Sequence, residues 1–281
     1  MTVVGTGHVG ETERAGQAEQ AREDGHTVLE GIRGKVFMDR YSLKDADGKA
    51  LETAPEQTWR RVARGIAAVE PTPEARAHWE ERFYEAMRDF QFVPGGRILA
   101  GAGTGHAVTY YNCYVAPSPE DSRGGILENL RVMTEIMARG GGVGINLSTI
   151  RPRGSYIKSV NGTASGPCSW AELYSVATGD VIQQGGSRRG ALMLMLDDDH
   201  PDVEEFITAK RIDPATNRPV AIEHANVSVA VSDAFMEAVK GDGDWQLQFP
   251  TRAAVAANPE LASTTLSRNR IATCECSASD A

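Results

Sequence analysis

The spacing of apolar side chains changes twice along the 281-residue chain. Residues 1 to 34 carry Gly, Glu, Gln and Ala with few large apolar groups. They predict a mobile tail that buries too little surface to offset its ordering entropy. From 35 to 91 the period is helical. One helix is expected over 55–70 and a second over 73–91, with Thr72 as N-cap and Pro73 at the first helical position. Trp79, Phe83, Met87 and Phe90 then share one face. This segment reads as a small N-terminal helical domain.

After Thr109 strands and helices alternate. A strand is expected over 109–115, then a helix over 122–139 that buries Ile126, Leu130, Met133 and Met137 and is stopped by Gly140. A short strand follows at 143–147. The run Ser169, Trp170, Ala171, Glu172 has the form of a capping box opening a helix with Trp170, Leu173, Ala177 and Val181 inward. Residues 192–196 are continuously apolar, as in a strand covered on both faces. A helix at 201–210, a strand at 225–231 with Val227, Val229 and Val231 alternating, a helix at 233–240 and a strand at 245–249 complete the series. Five strands alternating with helices of this length predict an α/β fold with a mostly parallel sheet over 92–250. Residues 251–281 show no apolar period and read as a tail without structure or foreign to the fold.

Charge and composition narrow the function. Lys and Arg number 29 against 38 Asp and Glu, a net −9. That excludes the basic stripe of a nucleic-acid-binding surface but not a nucleotide site built from a few local donors. Four cysteines do not make a disulfide scaffold and suit a reducing cytoplasm. No apolar run approaches the ~20 residues of a membrane span, and the first ten residues lack the features of a signal peptide.

Three stretches could carry chemistry. Gly140 to Gly144 either caps a helix and turns the chain, or lets a ligand lie against bare peptide groups. These glycines close a helix rather than open one, so they are not a dinucleotide fingerprint. The loop QQGGSRRG, 183–190, is a solvated connection or a pair of cationic forks for phosphate or base edges. Cys113 is a small strand hydrophobe or a redox thiol that needs a second thiol nearby. Asp121 and Ser122 read as helix N-caps or as acceptors for a sugar hydroxyl. Cys168 favours a structural role. Cys274 and Cys276 form a C-x-C pair suited to a thiol shuttle or a weak metal site, too few ligands for zinc, and no metal ligand is assigned. Asp197 to Asp199 and His200 read as capping of the next helix.

In their order, NCYVAPSPEDSRGGI, RGGGVGINLSTIRPRGS, QGGSRRGALMLMLDDDHPDVEEF and ANVSVAVSDAFMEAV resemble the catalytic chain of ribonucleotide reductases, nearest its adenosylcobalamin-dependent class II branch. FVPGGRILAGAGT before them fits the same pattern. The resemblance implies a helical domain followed by the first half of a ten-stranded α/β barrel, a five-stranded half-barrel. It implies that Cys113 is a reducing cysteine and that Gly96, Asn112, Gly141 and Gly142 line the ribonucleotide substrate. It further implies a site for a dNTP or ATP effector, with Asp121 and Ser122 at the deoxyribose and Arg151 at a phosphate. Lys158 would lie in the first effector loop, 151–161, and Gln184, Arg188 and Arg189 in the second. The implied cofactor is adenosylcobalamin and the implied reductant a thioredoxin-like dithiol. The family's radical cysteine and the partner of the reducing pair find no match here. The chain therefore reads as an N-terminal portion served by a complementing C-terminal chain or a homodimer. The alternatives are a non-catalytic nucleotide-binding module and an inactive truncated product.

Overall fold

The computed structural model describes residues 27–181, 190–219, 221–263 and 276–277. They fall into two compact units divided between Tyr111 and Asn112.

The first unit is helical. It comprises α1 (Gly31–Arg40), α2 (Pro55–Ala67), α3 (Pro73–Met87) and α4 (Gly96–Gly101). Pro55 opens α2 while Gln57 Oε1 accepts from Ala54 N at 3.1 Å. Thr72 Oγ1 caps α3 by accepting from Ala75 N at 3.2 Å, as its place before a proline predicts. Trp59, Val62, Ala63, Met87 and Ala102 form the core. A buried ion pair ties the helices together. Arg61 donates to both oxygens of Glu52 (2.6 and 3.0 Å) and also to the carbonyls of Ala102 (2.5 Å) and Leu99 (3.0 Å). Burial disfavours the Glu52 carboxylate, but hydrogen bonds from Arg61, Thr58 and Leu43 N outweigh it and hold the group below its ordinary value.

Three expectations fail in this unit. α3 ends at Met87 instead of running to 91, because Asp89 and Phe90 take positive φ (55° and 59°). Phe90 leaves the helical face yet still meets Trp59 edge-on, centroids 5.0 Å apart. Trp79 is 39% exposed and stacks on Phe83 instead of entering the core. α1 also begins inside the stretch expected to be mobile; residues 1–26 lie outside the described residues.

The second unit alternates as predicted. In chain order it has β1 (Cys113–Val115), α5 (Arg123–Ala138), β2 (Gly142–Asn146), a hairpin of β3 (Tyr156–Ile157) and β4 (Gly162–Thr163), and α6 (Gly166–Val176), which runs on into a π turn, Ala177–Val181. Then come β5 (Leu192–Asp197), α7 (Val203–Thr208), a pair of β6 (Ile212–Asp213) and β7 (Arg218–Pro219), β8 (Asn226–Ala230), α8 (Asp233–Lys240), β9 (Asp244–Trp245), α9 (Arg252–Ala257) and β10 (Cys276–Ser277). β1, β2, β5 and β8 make one sheet in that order, every pair parallel. Met133, Met137, Ile145, Tyr174, Leu194, Leu196 and Phe206 fill the core beside it.

The expected sheet differs in detail. Among the described residues it has four strands. The stretch expected as a fifth, 245–249, contributes only β9, which pairs antiparallel with β10 outside the sheet. β1 is three residues long, not seven. β5 buries Leu192, Leu194 and Leu196 but leaves Met193 42% exposed, so one of its faces is open. α6 starts at Gly166, not at a capping box three residues later. Ser169 Oγ donates back to Ser165 O (3.1 Å), and the buried stripe is Cys168, Ala171, Tyr174 and Ser175 while Leu173 faces out. Tertiary packing overrode a local signal.

Asp197 to His200 do not cap α7, whose N-cap Asp202 makes no side-chain capping bond. All four are buried. Asp197 accepts from Asn146 Nδ2 (3.1 Å) and Thr251 Oγ1 (2.7 Å). Asp198 accepts from Ser232 N (2.6 Å), and Asp199 from Arg252 N (2.9 Å), Arg252 Nε (3.0 Å) and Gln248 Nε2 (3.1 Å). These bonds explain why α9 folds in a segment with little apolar pattern: its N-cap Thr251 is fully buried against Asp197.

Breaking the Glu52–Arg61 pair with Glu52→Gln is expected to cost about 3 kcal/mol, since it strands a buried guanidinium. Because the folded carboxyl titrates below its unfolded value, its contribution is present above the ordinary carboxylate range and lost as pH falls through the folded value. Urea titrations between pH 7 and pH 3 should therefore show a shallower acid limb in the variant than in the wild type.

Candidate functional site

Two places in the second unit gather residues singled out by the sequence. The first is the edge of the sheet. β1 carries Cys113 there, with its residue opposite Gly142 of β2. Asn112 O accepts from Gly142 N at 2.8 Å. Asn112, Cys113, Gly141 and Gly142 are thus brought together, and Cys113 is exposed, a free thiol. The reading of Cys113 as a buried strand hydrophobe does not hold.

Glycine is required at this corner for packing. Gly140 turns the chain out of α5 with φ +88°. A β-carbon on Gly141 would lie 2.6 Å from Ile136 Cγ2 and 2.8 Å from Tyr114 Cε2. The amides of both following glycines are already committed, Gly141 N to Ile136 O (3.0 Å) and Gly142 N to Asn112 O. What the pair supplies is close approach of β2 to β1 and Tyr114, not free N–H donors. Gly96 belongs to the helical unit, where it opens α4 and lines an apolar groove of about 650 Å³ with Phe37, Trp59, Phe90 and Val93. Gln184, Arg188 and Arg189 lie outside the described residues.

The second place is a cleft of about 760 Å³. Four expected effector residues line it: Asp121, Ser122, Arg151 and Lys158. The β1–α5 connection supplies the first two. Ser122, not Asp121, is the N-cap of α5, accepting from Gly125 N at 3.0 Å. The loop after β2 supplies the others, and it is well anchored. Ser148 Oγ donates to Asn146 Oδ1 (2.6 Å) and receives Asp197 N (2.7 Å), while Thr149 Oγ1 donates to Pro119 O (2.5 Å). His200 Nε2 donates to Ile150 O (2.9 Å) while its Nδ1 accepts from Asp202 N (3.0 Å). Burial lowers the pKa of His200 despite the Ile150 bond, so the ring is the neutral Nε2–H tautomer. Farther along, Arg153 N donates to Asp202 Oδ2 (2.8 Å) and its guanidinium pairs with Glu205.

Within the cleft Asp121 and Arg151 hold each other. Arg151 Nε donates to Asp121 Oδ2 at 2.7 Å and Arg151 N to Oδ1 at 3.1 Å, both side chains about a quarter exposed. Trp170, which packs against the core as its spacing predicts, also lines the cleft, and so does Arg123, the residue after the cap. A signal for Arg123 did exist: a cation in a first turn that holds no acid opposes the helix dipole. Away from the cleft, burial pushes the Cys168 thiol up to about 12, with Glu205 and Asp202 adding to it. That is an inert structural cysteine.

Gly141→Ala is expected to displace Tyr114 or Ile136 and cost about 1–3 kcal/mol, read by thermal unfolding, with a changed alkylation rate at neighbouring Cys113. Ser122→Ala should cost about 1 kcal/mol through loss of the α5 cap, measured the same way.

Both units match known families. Residues 32–107 match the model described as ribonucleotide reductase, all-alpha domain, and residues 111–269 that described as ribonucleotide reductase, barrel domain, a match that takes in α9. A vitamin B12-dependent ribonucleoside-diphosphate reductase of Mycobacterium tuberculosis (strain CDC 1551 / Oshkosh) is 38% identical, over 79% of this chain and 31% of the relative. That of Thermoplasma acidophilum is 33% identical, over 74% of this chain and 33% of the relative. The ribonucleoside-diphosphate reductase large chain of Cryptosporidium parvum is 30% identical, over 76% of this chain and 25% of the relative. The chain spans about a third or less of the length of these curated relatives. With an all-helical unit followed by a parallel α/β sheet, each matched over nearly its whole described length, this chain belongs to the ribonucleotide reductase family.

Proposed function

We propose that this chain supplies the thiol edge and the effector cleft of a cytoplasmic ribonucleoside-diphosphate reductase that depends on adenosylcobalamin and a thioredoxin-like dithiol. The observation that carries the reading is the meeting of Asn112, Cys113, Gly141 and Gly142 on two neighbouring strands, with the thiol exposed. Cys113 would serve as one of two reducing thiols. The ribose 2′ C–O bond breaks and the oxygen leaves as water. A C–H bond replaces it, and the two thiols join as a disulfide. Two electrons pass from sulfur to carbon, and an external dithiol restores the pair. A second cysteine would supply the other thiol. Asn112, Gly141 and Gly142 would line the ribonucleotide.

Adenosylcobalamin enters on the strength of the B12-dependent relatives, and when bound it supplies radical initiation. No residue of this chain is assigned to hold it, and no step is routed through it.

Asp121, Ser122, Arg151 and Lys158 would bind a dNTP or ATP effector, with Gln184, Arg188 and Arg189 passing its identity to the substrate base. A second reading, a nucleotide-binding module without turnover, is favoured by one fact: this cleft is built wholly within the second unit.

Mixing the chain with a complementing C-terminal half, adenosylcobalamin, a dithiol and CDP should yield dCDP. Cys113→Ser should abolish that product and leave dNTP binding by calorimetry unchanged. Undiminished dCDP from the variant would end the catalytic assignment, and dNTP binding without product in the wild-type mixture would favour the module.

A further inference from the structure

The effector cleft carries charge that its expected residues do not explain. Its lining includes three cations, Arg123, Arg151 and Lys158, and one acid, Asp121. The cleft is therefore net positive in a chain of net charge −9. Arg151 is not the source of that excess. Its backbone N–H and Nε both go to the Asp121 carboxylate, and the pair is close to neutral as seen by a ligand. For Arg151 to turn wholly to a phosphate, it would have to leave a bare carboxylate facing a polyanion, which like-charge repulsion opposes. Arg123 and Lys158 are different: among the described residues neither side chain makes a hydrogen bond or ion pair.

Arg123 also stands where local physics disfavours it. It is the first residue of α5, next to Gly124 and Gly125, in a first turn without an acidic residue. A cation there meets the positive end of the helix dipole, and two glycines weaken the same turn. A residue that breaks a local rule with no side-chain partner among the described residues points to a ligand as that partner.

We propose that Arg123, together with Lys158, receives the phosphate groups of the nucleotide in this cleft, while the Asp121–Arg151 pair stays closed and offers its remaining carboxylate lone pairs to the sugar. This rests on the effector reading of the cleft and adds to it one of the two residues that supply its unpaired charge. The guanidinium of Arg123 suits bidentate contact with phosphate oxygens, which a lysine does not reproduce.

The test is calorimetric titration of the full chain and three variants with dATP and with inorganic tripolyphosphate, alongside thermal unfolding. Arg123→Ala should weaken both probes at least about tenfold, the worth of one charge-assisted hydrogen bond. Arg123→Glu should bind neither probe yet unfold no earlier than wild type, because an acid at that position favours the helix dipole. A purely structural role could not give that combination. Arg123→Lys should keep part of the affinity. Equal binding of both probes by wild type and Arg123→Glu overturns the proposal and leaves the effector reading standing. Wild-type binding of tripolyphosphate but of no dNTP, lost in Arg123→Glu, supports the anion site and sinks the effector reading. Failure of the wild type to bind either probe overturns both.

Discussion

A carboxylate taken out of water must find donors or be neutralised, and three in a row leave the protein little freedom in how to fold around them. Asp197, Asp198 and Asp199, at the C-terminal end of β5, are each no more than 5% exposed. They draw in Asn146 and Thr251, the amide of Ser232, and Arg252 with Gln248. One end of one strand thereby fixes the end of β2, the entry to α8 and the start of α9. His200 continues the set by binding Ile150 O. Residue 151 follows directly, so the place of Arg151 opposite Asp121 descends from the burial of the aspartates. The cleft is a consequence of that network.

The thiol edge is governed by a different constraint, the distance between two strands. β1 is short and lies at the border of the sheet, with Val115 93% exposed and Cys113 beside it. Its alignment with β2 depends on a corner without side chains at Gly141, where a β-carbon has no room. An exposed cysteine on a fixed strand is presented without being mobile. That is the presentation the proposed reducing role requires. Cys168 shows the opposite arrangement, closed in and raised to about 12.

The helical unit relies on a single guanidinium. Arg61 satisfies Glu52 and the carbonyls that end α4, so the same side chain neutralises a buried acid and caps a helix. Nothing in the spacing of Glu52 and Arg61 announces this. The two N-caps Thr72 and Ser122, by contrast, are where a reader of the sequence puts them, because capping is decided within four residues.

That difference in range separates what the chain spells out from what it conceals. Helix faces such as Ile126, Met133 and Met137, the strand–helix alternation and the ordered motifs from Asn112 to the end of α8 were legible, since each rests on neighbours in sequence. The motifs also marked four residues of the cleft by resemblance alone. Hidden were the start of α6 at Gly166, the burial of Asp197 to His200, the folding of α9, and the presence of Arg123 and Trp170 in the cleft. Each depends on partners far along the chain: Asp121 meets Arg151 across 30 residues and Asp199 meets Arg252 across 53. Periodicity reports which side of an element is apolar; it carries no information about which distant group will stand opposite. Only the folded backbone sets those distances, and with them decides that, among the described residues, the Arg151 side chain is matched and that of Arg123 is not.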